Sequence, residues 1–269
     1  MGERWGQLSG FEREPPTPPP LGVVIPCRNE ARSLPALLAQ LQSAPELVAA
    51  VVVVDGGSHD GSARLAALGG AQVLRCGPNR GLQLAAGAAT LTTPWLLLLH
   101  ADVRLQPGWA AAVGSAIARS DANHGPAWWF DLGIQGVDPA LRLVELAVAW
   151  RSRWRQLPYG DQGLLLGRPL LERAGGIPPL PLMEDLELAR RLAPLTRLRS
   201  LGLALAVSDR RWRQRGVWQT TLANAQLRRL WRQGIPIEIL AALYAGRSQG
   251  AYQKAQRRCS GSSSQPWRS

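Results

Sequence analysis

Between residues 21 and 99 the apolar residues change period again and again. The runs LGVVIP, LVAAVVVVD, AQVLRC and PWLLLL are short and continuous. Between them lie SLPALLAQLQ, HDGSARLAALGG and NRGLQLAAGAATL, whose apolar residues recur at helical spacing. A chain that alternates strand and helix in this way within about 80 residues predicts an α/β domain, a parallel sheet with helices on its faces. The predicted strands are apolar on both sides, as burial beneath two helical layers requires. Ser33 is the expected N-cap of the first helix, and Pro26 the expected stop of the first strand.

The second half is less regular. GWAAAVGSAIARS, PALRLVELAVAWRSRWRQL, PLMEDLELARRL, WQTTLANAQLRRLW and PIEILAALY predict helices, and PAWWFDLGIQG and GLLLG predict strands. Residues 1–20, ending in PPTPPP, predict a stiff disordered leader, and residues 247–269 a disordered basic tail. Residues 21–246 are expected to form a single domain, divided into a nucleotide-binding half (21–107) and an acceptor half (108–246). The N-terminus has no apolar signal segment, and no run approaches the ~20 residues of a spanning helix. A cytoplasmic protein is expected, either soluble or resting on the inner face of the membrane. Cys27, Cys76 and Cys259 are too few and too scattered for a disulfide framework or a zinc site.

Three predicted strands end in polar residues. Pro26, Arg28, Asn29 and Glu30 follow the first, Asp55, Gly56, Gly57 and Ser58 the second, and His100, Ala101 and Asp102 the fourth. Ligands of open parallel sheets bind outside the carboxyl ends of the strands, so these loops are expected to gather into one crevice. Any one of them alone reads equally well as a solvated turn.

Taken in order, VVIPCRNEARSLPALLAQL, VVVVDGGSHDGS and LLLLHAD resemble the family 2 glycosyltransferases of GT-A fold. The nearer likeness is to a bacterial subgroup with His-Ala-Asp in place of the usual Asp-X-Asp; GPNRGLQLAAGAA, YGDQGLLLGR and PLMEDLELARRL are also similar to that subgroup. The resemblance covers roughly residues 21–245. It implies a nucleotide-diphosphate sugar as donor, Mn²⁺ or Mg²⁺ as cofactor, and transfer to a hydroxyl or carboxyl acceptor with inversion.

The resemblance also implies roles for individual residues. Asp102 would bind the cation carried by the diphosphate. Asp55 and Glu30 can accept hydrogen bonds from a base or ribose, and Gly56 and Gly57 let backbone approach a flat ligand. His100 suits Mn²⁺ better than Mg²⁺, and could instead contact ribose or phosphate. Arg80 begins a predicted helix, where a cation and a helix N-terminus can share a diphosphate. Asp185 would be the base, Glu184 an acceptor-binding neighbour, and Asp161 the competing base. Arg210, Arg211 and Trp212 would close over the donor phosphates.

The chain carries a formal net charge of +12, and Arg210, Arg211, Arg213, Arg215, Arg228, Arg229 and Arg232 fall in a stretch with no acid. Such a surface suits anionic lipid, phosphorylated substrates or nucleic acid. Nucleic acid is not expected, because the acids at the strand ends would repel phosphate in the absence of metal. Trp150 and Trp154 stand one helical turn apart among Arg151, Arg153 and Arg155. They fit either packing on the sheet or contact with a membrane, the latter suiting a lipid-like acceptor of polyprenyl or carotenoid type. The competing functions are a donor-binding member without catalysis and a basic protein that binds nucleic acid or a membrane surface.

Overall fold

The computed structural model describes residues 19–244, so the expected leader, apart from Pro19 and Pro20, and the expected tail lie outside the described residues. The first half runs β1 (Leu21–Cys27), α1 (Leu34–Gln42), β2 (Val48–Asp55), α2 (Ser62–Leu68), β3 (Gln72–Arg75), α3 (Arg80–Thr90), β4 (Trp95–Leu98) and β5 (Val103–Leu105). After it come α4 (Trp109–Ala118), β6 (Ala127–Gln135), α5 (Ala140–Arg155), β7 (Leu164–Gly167), α6 (Arg168–Arg173) and α7 (Glu184–Leu192). The described chain closes with β8 (Leu198–Ser208), α8 (Arg210–Arg215), α9 (Val217–Arg232) and α10 (Ile237–Tyr244). The strands form one eight-stranded sheet in the order β3-β2-β1-β4-β7-β6-β8-β5.

The strands predicted between residues 21 and 99 pair in parallel, with β1 in the centre. Their continuous apolar runs are explained by burial on both faces. Val23, Ile25 and Leu97 enter one core with α1 and α4, while Val24, Leu96 and Leu98 enter a second core with α3, α6 and α7. Trp128 and Trp129 likewise go to opposite cores, as adjacent strand residues must.

Pro26 does not stop β1. It lies within the strand, paired with Val54 of β2. Val24 O accepts from Leu99 N on the β4 side, and a residue two further on points the same way. Pro26 therefore turns its missing donor toward a place where β4 has already ended, and no ladder bond is lost. Ser33 does occupy the N-cap of α1 but makes no side-chain cap; Glu30 O accepts from Ser33 N and Leu34 N instead.

The sheet reverses direction between β4 and β7. These strands are antiparallel, with Leu98 opposite Leu164. The segment leaving β4 and the segment entering β7 consequently meet at one edge. That edge is also the carboxyl end of β1 and β2.

Candidate active site

The loops after β1 and β2 are sewn together. Asn29, in the left-handed region at φ 56°, donates its amide to Ser58 Oγ (2.9 Å), and its Oδ1 accepts from His59 N (2.9 Å). Glu30 N donates to Ser62 Oγ (2.8 Å), and Ala31 N to Asp60 Oδ2 (3.0 Å). The spacing Asp60-x-Ser62 is a turn-forming pattern that could have been read from the sequence.

Asp55 ends β2 and is only 5 % exposed. Its carboxylate accepts from the amides of Gly57 (3.3 Å) and Ser58 (3.2 Å), so it orders its own loop. Gly56 and Gly57 serve different ends. A Cβ on Gly56 would stand 2.7 Å from Gln83 Nε2, whereas Gly57, at φ 83°, has nothing within 4 Å. Gln83, which the sequence did not single out, is buried on α3 and donates to Val54 O (2.8 Å) and Cys27 O (3.3 Å) at the ends of both strands. The Cys27 thiol between these loops is pushed up to about 11 by burial and, less, by Asp55.

Asp102 is fixed from both sides. β4 precedes it, and β5 follows, paired antiparallel with β8. Gln40 of α1 clamps β5 by donating to Leu105 O (2.6 Å) and accepting from Leu105 N (3.0 Å). Arg104 donates to Ser33 O (2.6 Å). These clamps turn a short loop into a firm support for His100, Ala101 and Asp102.

Two adjoining clefts meet over this support. One, of about 330 Å³, is lined by Pro26, Arg28, Glu30, Ala101 and Asp102. The other, of about 150 Å³, is lined by Asp102, Asp161, Asp185, Arg210 and Trp212. Arg80, His100, Asp102, Leu182 and Tyr244 line both. Glu30 and Asp102 line one cleft, as expected, whereas Asn29, Asp55, Gly56, Gly57 and Ser58, expected in the same crevice, line neither cleft. Arg211 lies in α8 beside Arg210 and Trp212. Arg210 reaches back to Glu30 Oε1 at 3.6 Å, tying the segment after β8 to the loop after β1.

The acidic pair divides its work. Asp185 lines the cleft; its Oδ2 accepts from Gly160 N (2.6 Å) and its Oδ1 from Leu186 N (2.7 Å). Glu184 faces inward, 1 % exposed, and pairs with Arg80, whose Nη2 is 3.2 Å from Oε2. The resemblance implies acceptor binding for Glu184 and a diphosphate contact for Arg80; in the structure the two side chains pair with each other, and Arg80 also lines both clefts. Burial, then the neighbouring Asp185 charge, pushes the Glu184 carboxyl up to about 7 against the pull of Arg80. Burial works against the Arg80 charge, and Glu184 followed by Asp185 more than offsets it, holding its pKa above the ordinary arginine value.

This region is held by a strained approach. Met183, the N-cap of α7, sits in the left-handed region at φ 63°. Before it, Leu180 O accepts from Gly81 N (3.0 Å) and Pro179 O from Asn79 Nδ2 (3.2 Å), which fastens the segment to the start of α3.

Asp161 lies in a single 3-10 turn, Gly160–Gln162, just before β7. Gln162 anchors that turn from inside the protein, fully buried, with its Oε1 accepting from Ser152 Oγ (2.8 Å), Arg151 Nη2 (3.2 Å) and Tyr159 N (3.2 Å). Gln162 thus ties its own turn, through Tyr159, to the end of α5 some ten residues back in the chain. Tyr159 is stacked by two arginines, with the guanidinium carbons of Arg151 and Arg228 3.6 Å and 5.4 Å from the ring centroid.

Residues 22–128 match the family described as glycosyl transferase family 2. Uncharacterized glycosyltransferases of Mycobacterium tuberculosis and Mycobacterium bovis are 39 % identical over 87 residues, 32 % of this chain and 38 % of theirs. The match therefore spans well under half the length of these curated relatives. Among solved structures, S. aureus TarS 1–349 aligns with TM-score 0.54 and 14 % identity over 70 % of this chain and 60 % of that one. Glucosyl-3-phosphoglycerate synthase from Mycobacterium tuberculosis, in complex with Mn²⁺, uridine diphosphate and glucosyl-3-phosphoglycerate, aligns with TM-score 0.50 and 18 % identity over 70 % and 71 %. These likenesses establish the GT-A fold. The sequence match over residues 22–128 and the curated glycosyltransferase relatives together support a family 2 glycosyltransferase.

Proposed function

We propose that the chain transfers a sugar from a nucleotide diphosphate to an acceptor hydroxyl or carboxyl, with inversion. The observation that carries this reading is the opening of Asp102 and Asp185 onto one cleft, from elements more than 80 residues apart. Arg28, Glu30 and the Pro26–Ala101 wall form the donor side, and Arg210 is tied to it through Glu30. Asp55, Asn29 and Ser58 hold its rim in shape.

Among the described residues no three His, Cys, Asp or Glu side chains are grouped to hold a metal ion. One carboxylate with an adjacent imidazole fits a cation that arrives already held by diphosphate oxygens, the usual arrangement for Mg²⁺ and Mn²⁺. Asp102 would hold it, with His100 beside it, and such a cation would neutralise charge on the leaving diphosphate. The structural relative solved with Mn²⁺ and uridine diphosphate lends support to that choice.

Asp185 is the proposed base. It takes the acceptor proton as the acceptor oxygen bonds to the anomeric carbon, and the anomeric C–O bond breaks with its electrons leaving on the diphosphate. Glu184 is proposed as a positioning residue, which holds Arg80 at the junction of the two clefts. Titration of uridine diphosphate into the wild type and Asp102→Ala, with and without Mn²⁺, tests the reading. Binding that strengthens with Mn²⁺ only in the wild type supports it; metal-indifferent binding in both removes it.

A second feature favours work at a membrane surface. Leu143, Leu146, Trp150 and Trp154 form an exposed stripe along α5, with Trp154 78 % exposed, and Trp218 and Leu222 are exposed on α9. Arg142, Arg153 and Arg155 flank the stripe. An apolar face edged with arginine suits a monotopic contact with anionic lipid and so a lipid-like acceptor. No helix among the described residues is long and apolar enough to cross a membrane.

A further inference from the structure

The cleft that holds Asp161 and Asp185 is also lined by Arg228, a cation with no ion pair among the described residues. Arg228 follows Asn224 by one turn of α9, and both side chains line that cleft. Among the described side chains, the other cations lining this cleft have acid partners: Arg80 pairs with Glu184, and Arg210 with Glu30. Arg151, behind the wall, donates to Leu157 O (3.0 Å) and Gln162 Oε1 (3.2 Å). Arg228 forms no ion pair among the described residues and instead shares the Tyr159 ring with Arg151. Burial, and in smaller measure Arg228, holds the Arg151 pKa below the ordinary arginine value, so the two like charges tax each other.

Position decides which ligand Arg228 serves. It lines the cleft containing Asp161 and Asp185 but not the one lined by Arg28 and Glu30. An anion seated against it therefore belongs to the molecule that approaches Asp185, not to the nucleotide. Placing an uncommitted arginine on an aromatic ring also pre-orients its donors for a planar or tetrahedral oxyanion.

We infer that the acceptor is itself an anion, a hydroxy acid or phosphate ester, whose carboxylate or phosphate is held by Arg228 and Asn224 while its nucleophilic oxygen faces Asp185. The inference rests on the reading of the cleft as a donor and acceptor site, and it can fail separately from that reading. The test saturates the full chain with uridine diphosphate and Mn²⁺ and then titrates D-glycerate, glycerol 3-phosphate or glycerol. A further arm uses phosphatidylcholine vesicles with and without phosphatidic acid, which separates a lipid-borne phosphate from a free one.

At least one anion should bind the wild type, and glycerol should not. That binding should weaken at least about tenfold in Arg228→Met and recover in part in Arg228→Lys, with uridine diphosphate affinity unchanged in both. Anion binding indifferent to Arg228, or absent from the wild type in every arm, overturns the inference and leaves the donor reading standing. Equal weakening of uridine diphosphate in Arg228→Met also overturns it, because Arg228 would then serve the donor. Failure of uridine diphosphate to bind removes the donor reading and the inference with it.

Discussion

The amide of Gly160 donates to Asp185 Oδ2 at 2.6 Å, and a Cβ on Gly160 would lie 2.5 Å from His100 Nε2. The glycine is wedged between the proposed base and the histidine next to the proposed cation ligand. Gly160→Ala should displace one of them and lower transfer by about 10²-fold, the scale of a misplaced reacting group. Its melting temperature should stay near that of the wild type. Wild-type turnover in this variant would mean that neither neighbour needs its present position.

Asp185 and Asp161 line the same cleft, and only one can take the acceptor proton. Asp185→Asn is expected to lower transfer by about 10²–10⁴-fold with donor affinity kept, the usual contribution of a general base. Asp161→Asn should have a smaller effect. The reverse ranking, measured under single-turnover conditions, would reassign the base to Asp161.

Glu184 makes stability depend on pH. Its carboxyl lies at about 7 in the folded protein, above the ordinary 4.5, so the folded state binds this proton more tightly than the unfolded chain does. The contribution is present in full below about 4.5 and is lost as pH rises through about 7. Denaturant midpoints should therefore fall between pH 5 and pH 8. Glu184→Gln should flatten that slope, and parallel slopes in the two proteins would exclude Glu184 as its source.

The exposed stripe on α5 gives a separate prediction. Co-sedimentation of the protein with anionic vesicles should drop severalfold in the double variant Trp150→Ala, Trp154→Ala. Both side chains are largely exposed, so thermal stability should barely move. Unchanged sedimentation would leave the stripe without a role at lipid.

The parallel half was legible because β1, β4 and the second half of β2 are covered on both faces, which writes a continuous apolar run into each. Glu30 and Asp102 were legible as cleft residues for a topological reason: both follow strands whose carboxyl ends share an edge. The commitment of Arg80 to Glu184 was hidden, since it depends on a contact between residues 104 apart that no local pattern encodes. Gln83 and Gln162 escaped for a related reason. Gln83 satisfies backbone groups on two distant strands and Gln162 reaches Phe130 O as well as its own neighbourhood, and a buried glutamine looks like any other in a list of residues. The exposure of Trp150 and Trp154 settled what period alone had left open: α5 packs through Leu141 and Val144 and turns its tryptophans outward.

The antiparallel seam at Leu98 and Leu164 has a consequence for how such a protein can diverge. The turn before β7 reaches the proposed reaction centre from the opposite side of the seam and shares no strand with the loops after β1 and β2. Outside Gly160 and the buried Gln162, its side chains can change while β1, β2 and β4 keep their mutual alignment. New acceptors for the proposed transfer can thus be acquired through one short segment, with the proposed donor side left intact.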